Sequence, residues 1–273
     1  MLTLLLACAE PDTPDTAPPD APEGGFALSA DEHLALPFAT VGDDAPSAEL
    51  TVTAAGERGS RGGVTVTVEG DFAVTGDTGA LEPAESRRYI ARYIGDTSAP
   101  TIALGTASFT VDGDVVHVGL AAVIGDAALP EADWVPNGWG EQATIGLPSA
   151  PFPYTGASYD DDSVLVFVPD GFTDRDAVGV ATHLHGWNAT LSEVATAQRL
   201  VEQVAISGRD TVLIVPQGPE EAEDGDFGRL MEPGGHATLV RDVLSVLYRD
   251  GFVTRPAVGD VALTAHSGGY LAT

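Results

Sequence analysis

Ser267 stands between His266 and the pair Gly268-Gly269, at the end of the apolar run Val261-Ala-Leu-Thr-Ala265. A serine placed there is set up for nucleophilic attack. A buried strand that turns sharply into a helix holds the hydroxyl out at the sheet edge, and the neighbours must be small because so tight a turn strains the backbone. Attack by its oxygen on an ester carbonyl creates a negative oxygen that needs donors. The backbone N–H of Gly268, at the start of the following helix, is placed to be one of them. The plainer alternative makes Ser267 a helix N-cap, which leaves the paired glycines without a role. His266, beside the serine, is read as structural or pocket-lining and not as the base.

Other polar residues offer less. His183 and His185 alternate along a strand and so share a face, as a metal-binding pair would. Such a His-x-His pair resembles the metal site of barrel amidohydrolases, but that reading needs further histidines and a late aspartate, and it leaves residues 265–269 unexplained. His183, His185 and His236 are also the upstream histidines that could serve in place of a downstream catalytic one, while His33 and His117 are isolated in strand contexts. The acidic clusters 160–162, 174–176 and 220–226 lack the ligand spacing of a calcium loop and read as solvated loops. The last of them follows Pro219 and is placed to border a substrate entrance that disfavours anions. No metal site and no cofactor is called for.

The elements that must position Ser267 change character along the chain. From residue 26 to 126, short alternating or β-branched runs (50–54, 64–69, 72–75, 89–94, 107–111 and 115–120) are separated by Gly-, Asp- and Pro-rich turns, which predicts an antiparallel β-sandwich. Residues 127–162 carry Pro130, Pro136, Pro148, Pro151 and Pro153 and read as a linker, with Trp134 and Trp139 packing the joint. From 163 to 273, strands at 163–169, 178–184, 211–215 and 261–264 alternate with helical periodicity over 189–207 and 235–248. That alternation predicts an α/β domain with a parallel sheet.

Three motifs fall at the ends of those strands: His185-Gly186-Trp187, Val215-Pro-Gln-Gly-Pro219 and Ala265-His-Ser-Gly-Gly269. In this order they make the C-terminal part resemble an α/β-hydrolase of the secreted esterase and depolymerase sort, the last matching G-x-S-x-G with alanine in the first place. The resemblance implies an incomplete α/β-hydrolase sheet with Ser267 as catalytic nucleophile and an oxyanion hole from the N–H groups of Trp187 and Gly268. It also implies an acid and a histidine downstream of Ser267, where only Tyr270 to Thr273 follow Gly269. The expectation is therefore a truncated copy of a longer enzyme, inactive on aryl esters as it stands and prone to aggregate along its last strand. The sandwich, with Gly70-Asp71-Phe72 and Leu81-Glu82-Pro83, is similar to immunoglobulin-like modules of exported bacterial proteins.

Composition sets the surroundings. Of 273 residues, 41 are acidic and 12 basic, for a net charge of −29, and every basic residue is arginine. A surface this acidic repels nucleic acid and anionic membranes. Such a balance also fits solubility or a salty setting. The single cysteine, Cys8, ends Leu5-Leu6-Ala7-Cys8, which resembles the lipobox of bacterial lipoproteins and implies lipidation at Cys8. Residues 9–25 are rich in Pro, Asp and Thr and read as an extended tether. No stretch is long and apolar enough to span a bilayer. The expectation is an extracytoplasmic, lipid-anchored serine hydrolase of the cell envelope acting on a small or polymeric ester. A non-enzymatic surface binding protein with a degenerate hydrolase domain is the alternative. Oligomeric state is left open.

Overall fold

Strand β4 (Ser47–Ala55) reads Ser-Ala-Glu-Leu-Thr-Val-Thr-Ala-Ala and sends Leu50, Val52 and Ala54 inward while Glu49 and Thr51 face water. The same period of two repeats in β7 (Ser86–Tyr93), where Tyr89, Ala91 and Tyr93 are buried between exposed residues, because alternate side chains of a strand leave on opposite faces. The computed structural model describes residues 27–55, 62–220 and 225–273. Cys8 and the tether, with the lipidation expected there, lie outside the described residues, as do the turn at 56–61 and residues 221–224 of the last acidic cluster.

The N-terminal part has two sheets over one core. With β1 (Ala27–Ser29) and β6 (Phe72–Gly76), β4 and β7 form an antiparallel sheet in the order β1-β4-β7-β6. The facing sheet runs β2-β9-β8-β5, from β2 (His33–Ala35), β5 (Thr65–Glu69), β8 (Thr101–Val111) and β9 (Asp114–Gly125). Strand β3 (Ala39–Thr40) also pairs with β9. Phe72, Leu81, Tyr89, Phe109, Leu120 and Ile124 fill the space between the sheets. The sandwich is not wholly antiparallel, because β2 and β3 run parallel to β9.

The C-terminal part is built on a third sheet, in the order β10-β11-β12-β14-β13-β15. Its strands are β10 (Val135–Pro136), β11 (Gly140–Gly146), β12 (Ser163–Pro169), β13 (Val178–Leu184), β14 (Thr211–Pro216) and β15 (Val258–Ala265). Here the predicted fold class is corrected. The chain is β-rich, with three sheets and few helices, and the C-terminal sheet is not the parallel sheet of an α/β-hydrolase. Strands β10 to β12 and the β12–β14 pair are antiparallel, and only β14–β13 and β13–β15 are parallel. The cause is local: the proline-rich stretch read as a linker supplies β10 and β11. Its prolines flank β11 and stand in the two-residue edge strand β10, where a missing N–H is tolerated.

Both faces of this sheet are covered. Val164, Val166, Val180, Val212 and Ile214 face helix α3 (Gly235–Arg249), which turns Leu239, Val240, Val243, Leu244 and Leu247 toward them. Ala121 and Val123 of β9 belong to that same core. Leu165, Phe167, Leu213 and Val215 face helices α1 (Leu191–Ala197) and α2 (Leu200–Ile206). The single helix expected over 189–207 is two, broken at Arg199, whose φ of 54° is left-handed. A capping box between Thr190 and Glu193 starts α1 and satisfies N–H groups that the first helical turn leaves without partners.

Candidate functional site

Strand β15 ends beside β13, with Thr264 opposite His183 and Ala265 opposite Leu184. The His266 N–H then donates to the Leu184 carbonyl at 3.0 Å, and the chain turns at Ser267 into a short 3-10 helix, Ser267–Ala272. Ser267 has φ 51°, left-handed backbone that a residue with a Cβ adopts only under local constraint. The constraint is steric fit with two glycines. A Cβ on Gly186 would lie 2.8 Å from the Ser267 Cβ and 2.9 Å from the His266 carbonyl oxygen. A Cβ on Gly269 would lie 2.6 Å from each of the Leu184 and His185 carbonyl oxygens. Only chains without side chains at 186 and 269 let the 185–187 loop and the serine turn approach this closely.

The structure therefore brings Ser267, Gly268, Gly186 and the loop carrying Trp187 together. Ser267 is exposed and its hydroxyl has no hydrogen-bond partner among the described residues. Among the described residues, the N–H groups of Trp187 and Gly268 make no backbone hydrogen bond outside the regular elements. Trp187 itself is half-exposed, so its ring is not core packing. The segment Gly225-Asp226 closes on the turn from another side, since a Cβ on Gly225 would fall against the Gly268 carbonyl. Beyond Asp226 lies an open cavity of about 420 Å³, lined also by Tyr154, Gly228, Met231 and Glu232. Tyr154 donates its hydroxyl proton to Glu232 there at 2.8 Å.

The rings of His183, His185 and His236 bond to groups other than Ser267. His185 is buried; its Nε2 accepts the Gly218 N–H at 2.7 Å, and its Nδ1–H donates to the Gly186 carbonyl at 2.9 Å. Burial lowers its pKa, against the opposing effects of the Gly186 carbonyl and the Glu220 carboxylate. His183 bonds through Nδ1 to the Thr264 hydroxyl at 2.9 Å, and since that hydroxyl donates onward to the Thr182 carbonyl, the imidazole nitrogen must be the donor. Its Nε2 is buried without a partner, and burial first, then the neighbouring His185 and His266, hold its pKa down at about 4. His236, at the start of α3, bonds the Thr182 hydroxyl at 3.0 Å, and burial lowers its pKa as well. Both ring nitrogens of His185 are taken, and the described residues contain no cluster of three ligating side chains.

Sequence reasoning passed over Gln217. Its carboxamide oxygen accepts the Leu191 N–H at 2.9 Å, and its amide nitrogen lies 3.0 Å from His185 Nε2 and 2.9 Å from the Gly218 carbonyl. The signal was present in Val215-Pro-Gln-Gly-Pro219, which stood out as a motif without a role for its glutamine.

Comparison with known proteins adds little. No family model and no curated protein matches the chain. Among solved structures, a PapD-like domain of human CEP192 aligns at 10% identity and TM-score 0.30, covering 45% of this chain and 98% of that one. A family 123 glycoside hydrolase from Clostridium perfringens aligns at 11% identity and TM-score 0.28, covering 39% of this chain and 28% of that one. The secreted serine protease VesC from Vibrio cholerae aligns at 19% identity and TM-score 0.27, covering 52% of this chain and 34% of that one. The chain thus spans about a third or less of these last two. Likeness at this level assigns neither fold family nor activity.

Proposed function

We propose that this protein is an exported serine hydrolase that acts on ester bonds through Ser267, held at the cell envelope by a lipid on Cys8. The observation that carries the reading is the left-handed backbone of Ser267 at the end of β15, packed against a glycine that leaves room for it. In the reaction, Ser267 Oγ bonds to the carbonyl carbon, the carbonyl oxygen becomes negative, and the N–H groups of Gly268 and Trp187 stabilise it. Losing one such donor costs roughly 2.7–4 kcal/mol of transition-state stabilisation. The serine proton must leave to a base, and no imidazole of the described residues is hydrogen-bonded to Ser267.

The test is covalent labelling. A fluorophosphonate loses fluoride as Ser267 Oγ bonds to phosphorus, and imidazole added to the buffer takes the proton. Slow incorporation that imidazole accelerates, mapped to Ser267 by tandem mass spectrometry and lost in Ser267→Ala, is the expected result. The absence of a histidine at the hydroxyl favours one second reading, a surface protein that binds its partner without turnover. No label on Ser267 with imidazole present would establish that second reading in place of the first.

A further inference from the structure

Between the candidate nucleophile and the helices behind it lies a buried polar network with Gln217 at its centre, and the hydrolase reading as such gives it no part. Gln217 is buried, and its backbone N–H donates to the Ser163 carbonyl at 2.8 Å, which anchors it to β12. Its side chain reaches four ways: to the first N–H of α1 at Leu191, to the Gly218 carbonyl, to His185 and, at 3.5 Å, to the Ala189 carbonyl. His185 in turn accepts from the Gly218 N–H and donates to the Gly186 carbonyl. The ring of Phe227 stands edge-on to His185 with centroids 5.6 Å apart, so the network is shielded from water on that side.

We infer that His185 and Gln217 are a positioning pair that fixes the loop 185–187, and so aims the Trp187 N–H at the oxygen that turns negative when Ser267 attacks. The inference rests on the hydrolase reading. The Trp187 N–H belongs to the peptide unit whose carbonyl is that of Gly186, and that carbonyl accepts from His185 Nδ1. One hydrogen bond therefore sets the orientation of the whole peptide plane. His185 can donate from Nδ1 and accept at Nε2 only in its neutral Nδ1–H form. Two donors directed at Nε2, from Gly218 and Gln217, select that form. A misaimed donor of about 1 Å costs on the order of 10²-fold in rate, so a residue that never touches substrate is expected to act on the maximal rate.

The experiment follows fluorophosphonate labelling of the full chain, with imidazole present, for wild type, Gln217→Leu, His185→Leu and His185→Gln. Gln217→Leu and His185→Leu are expected to lower the maximal labelling rate on the order of 10²-fold while leaving the half-saturating probe concentration unchanged, because the donor acts in the transition state. His185→Gln keeps an acceptor for the Gly218 N–H but puts no donor at the Nδ1 position that faces the Gly186 carbonyl, so it should stay as slow as His185→Leu, and a wild-type rate in it would overturn the inference. Undiminished labelling in a folded Gln217→Leu or His185→Leu variant overturns the inference and leaves the hydrolase reading standing. An unlabelled wild type overturns the reading and the inference with it. Should the leucine variants not fold, nitrogen-15 NMR of the wild type decides: a proton on Nδ1 and a bare Nε2 at neutral pH support the pair, and the opposite tautomer overturns it.

Discussion

Ser267 and His183 show two ways in which a residue can be held in a costly state. Ser267 carries strained backbone beside Gly186. His183 carries a buried nitrogen without a partner. The second has a consequence for stability. The imidazole stays neutral in the fold down to about 4, whereas an unfolded histidine takes up its proton near pH 6.5. Its contribution is therefore intact above about pH 6.5 and is lost as pH falls toward 4, at ~1.4 kcal/mol per unit and up to about 3 kcal/mol in all. Urea midpoints at pH 7.5 and pH 4.5 check this. Wild type should lose more between them than His183→Gln, whose carboxamide does not titrate. At the residue scale the sequence pointed to Ser267 and Gly268 by spacing and to Trp187 through a resemblance; the structure adds that the 185–187 loop and the serine turn lie against each other, and their role stays a proposal. The engagement of His185 was not legible, since its partners Gly218 and Gln217 lie more than thirty residues away.

Strand β15 is an edge whose outer side has no neighbour among the described residues, and Val258, Val261 and Leu263 on it are exposed. Such an edge offers unpaired N–H and C=O groups to another chain, and a charge on it is a known deterrent. Val261→Lys should abolish concentration-dependent light scattering while changing unfolding free energy by no more than about 0.5 kcal/mol. Persistent scattering would mean that self-association uses another surface. Elements with a strong period were readable: β12, β13, β14 and α3 fall close to where apolar spacing put them. The break between α1 and α2 was not, because arginine at a left-handed position carries no compositional mark. Nor were β10 and β11, hidden by the prolines around them, or the parallel docking of β2 and β3, which are too short to show a pattern. Pairing direction depends on distant strands, and that is why a parallel sheet was expected where a mixed one formed.

At the scale of the whole molecule, charge and core pull in different directions. A net charge of −29 on 273 residues strains the compact state by self-repulsion. Salt shortens the reach of that repulsion from about 10 Å at 0.1 M to about 3 Å at 1 M. The melting temperature should therefore rise between those concentrations of sodium chloride, and a flat or falling curve would show that the carboxylates are already well dispersed. Against the repulsion stands a seam between sandwich and mixed sheet. The Tyr248 hydroxyl of α3 shares its one proton between the Leu36 and Ala121 carbonyls, Arg249 donates to the Pro130 carbonyl, and the Trp134 indole to Asp250. Ala121 and Val123 of β9 sit in the same core as α3, while Leu120, Ala122 and Ile124 of that strand serve the sandwich. One strand is thus a shared wall. For anyone who would shuffle these parts, residue 126 is a poor place to cut: a sandwich lifted out there carries a greasy patch made for its neighbour, and the neighbour is left with a missing panel.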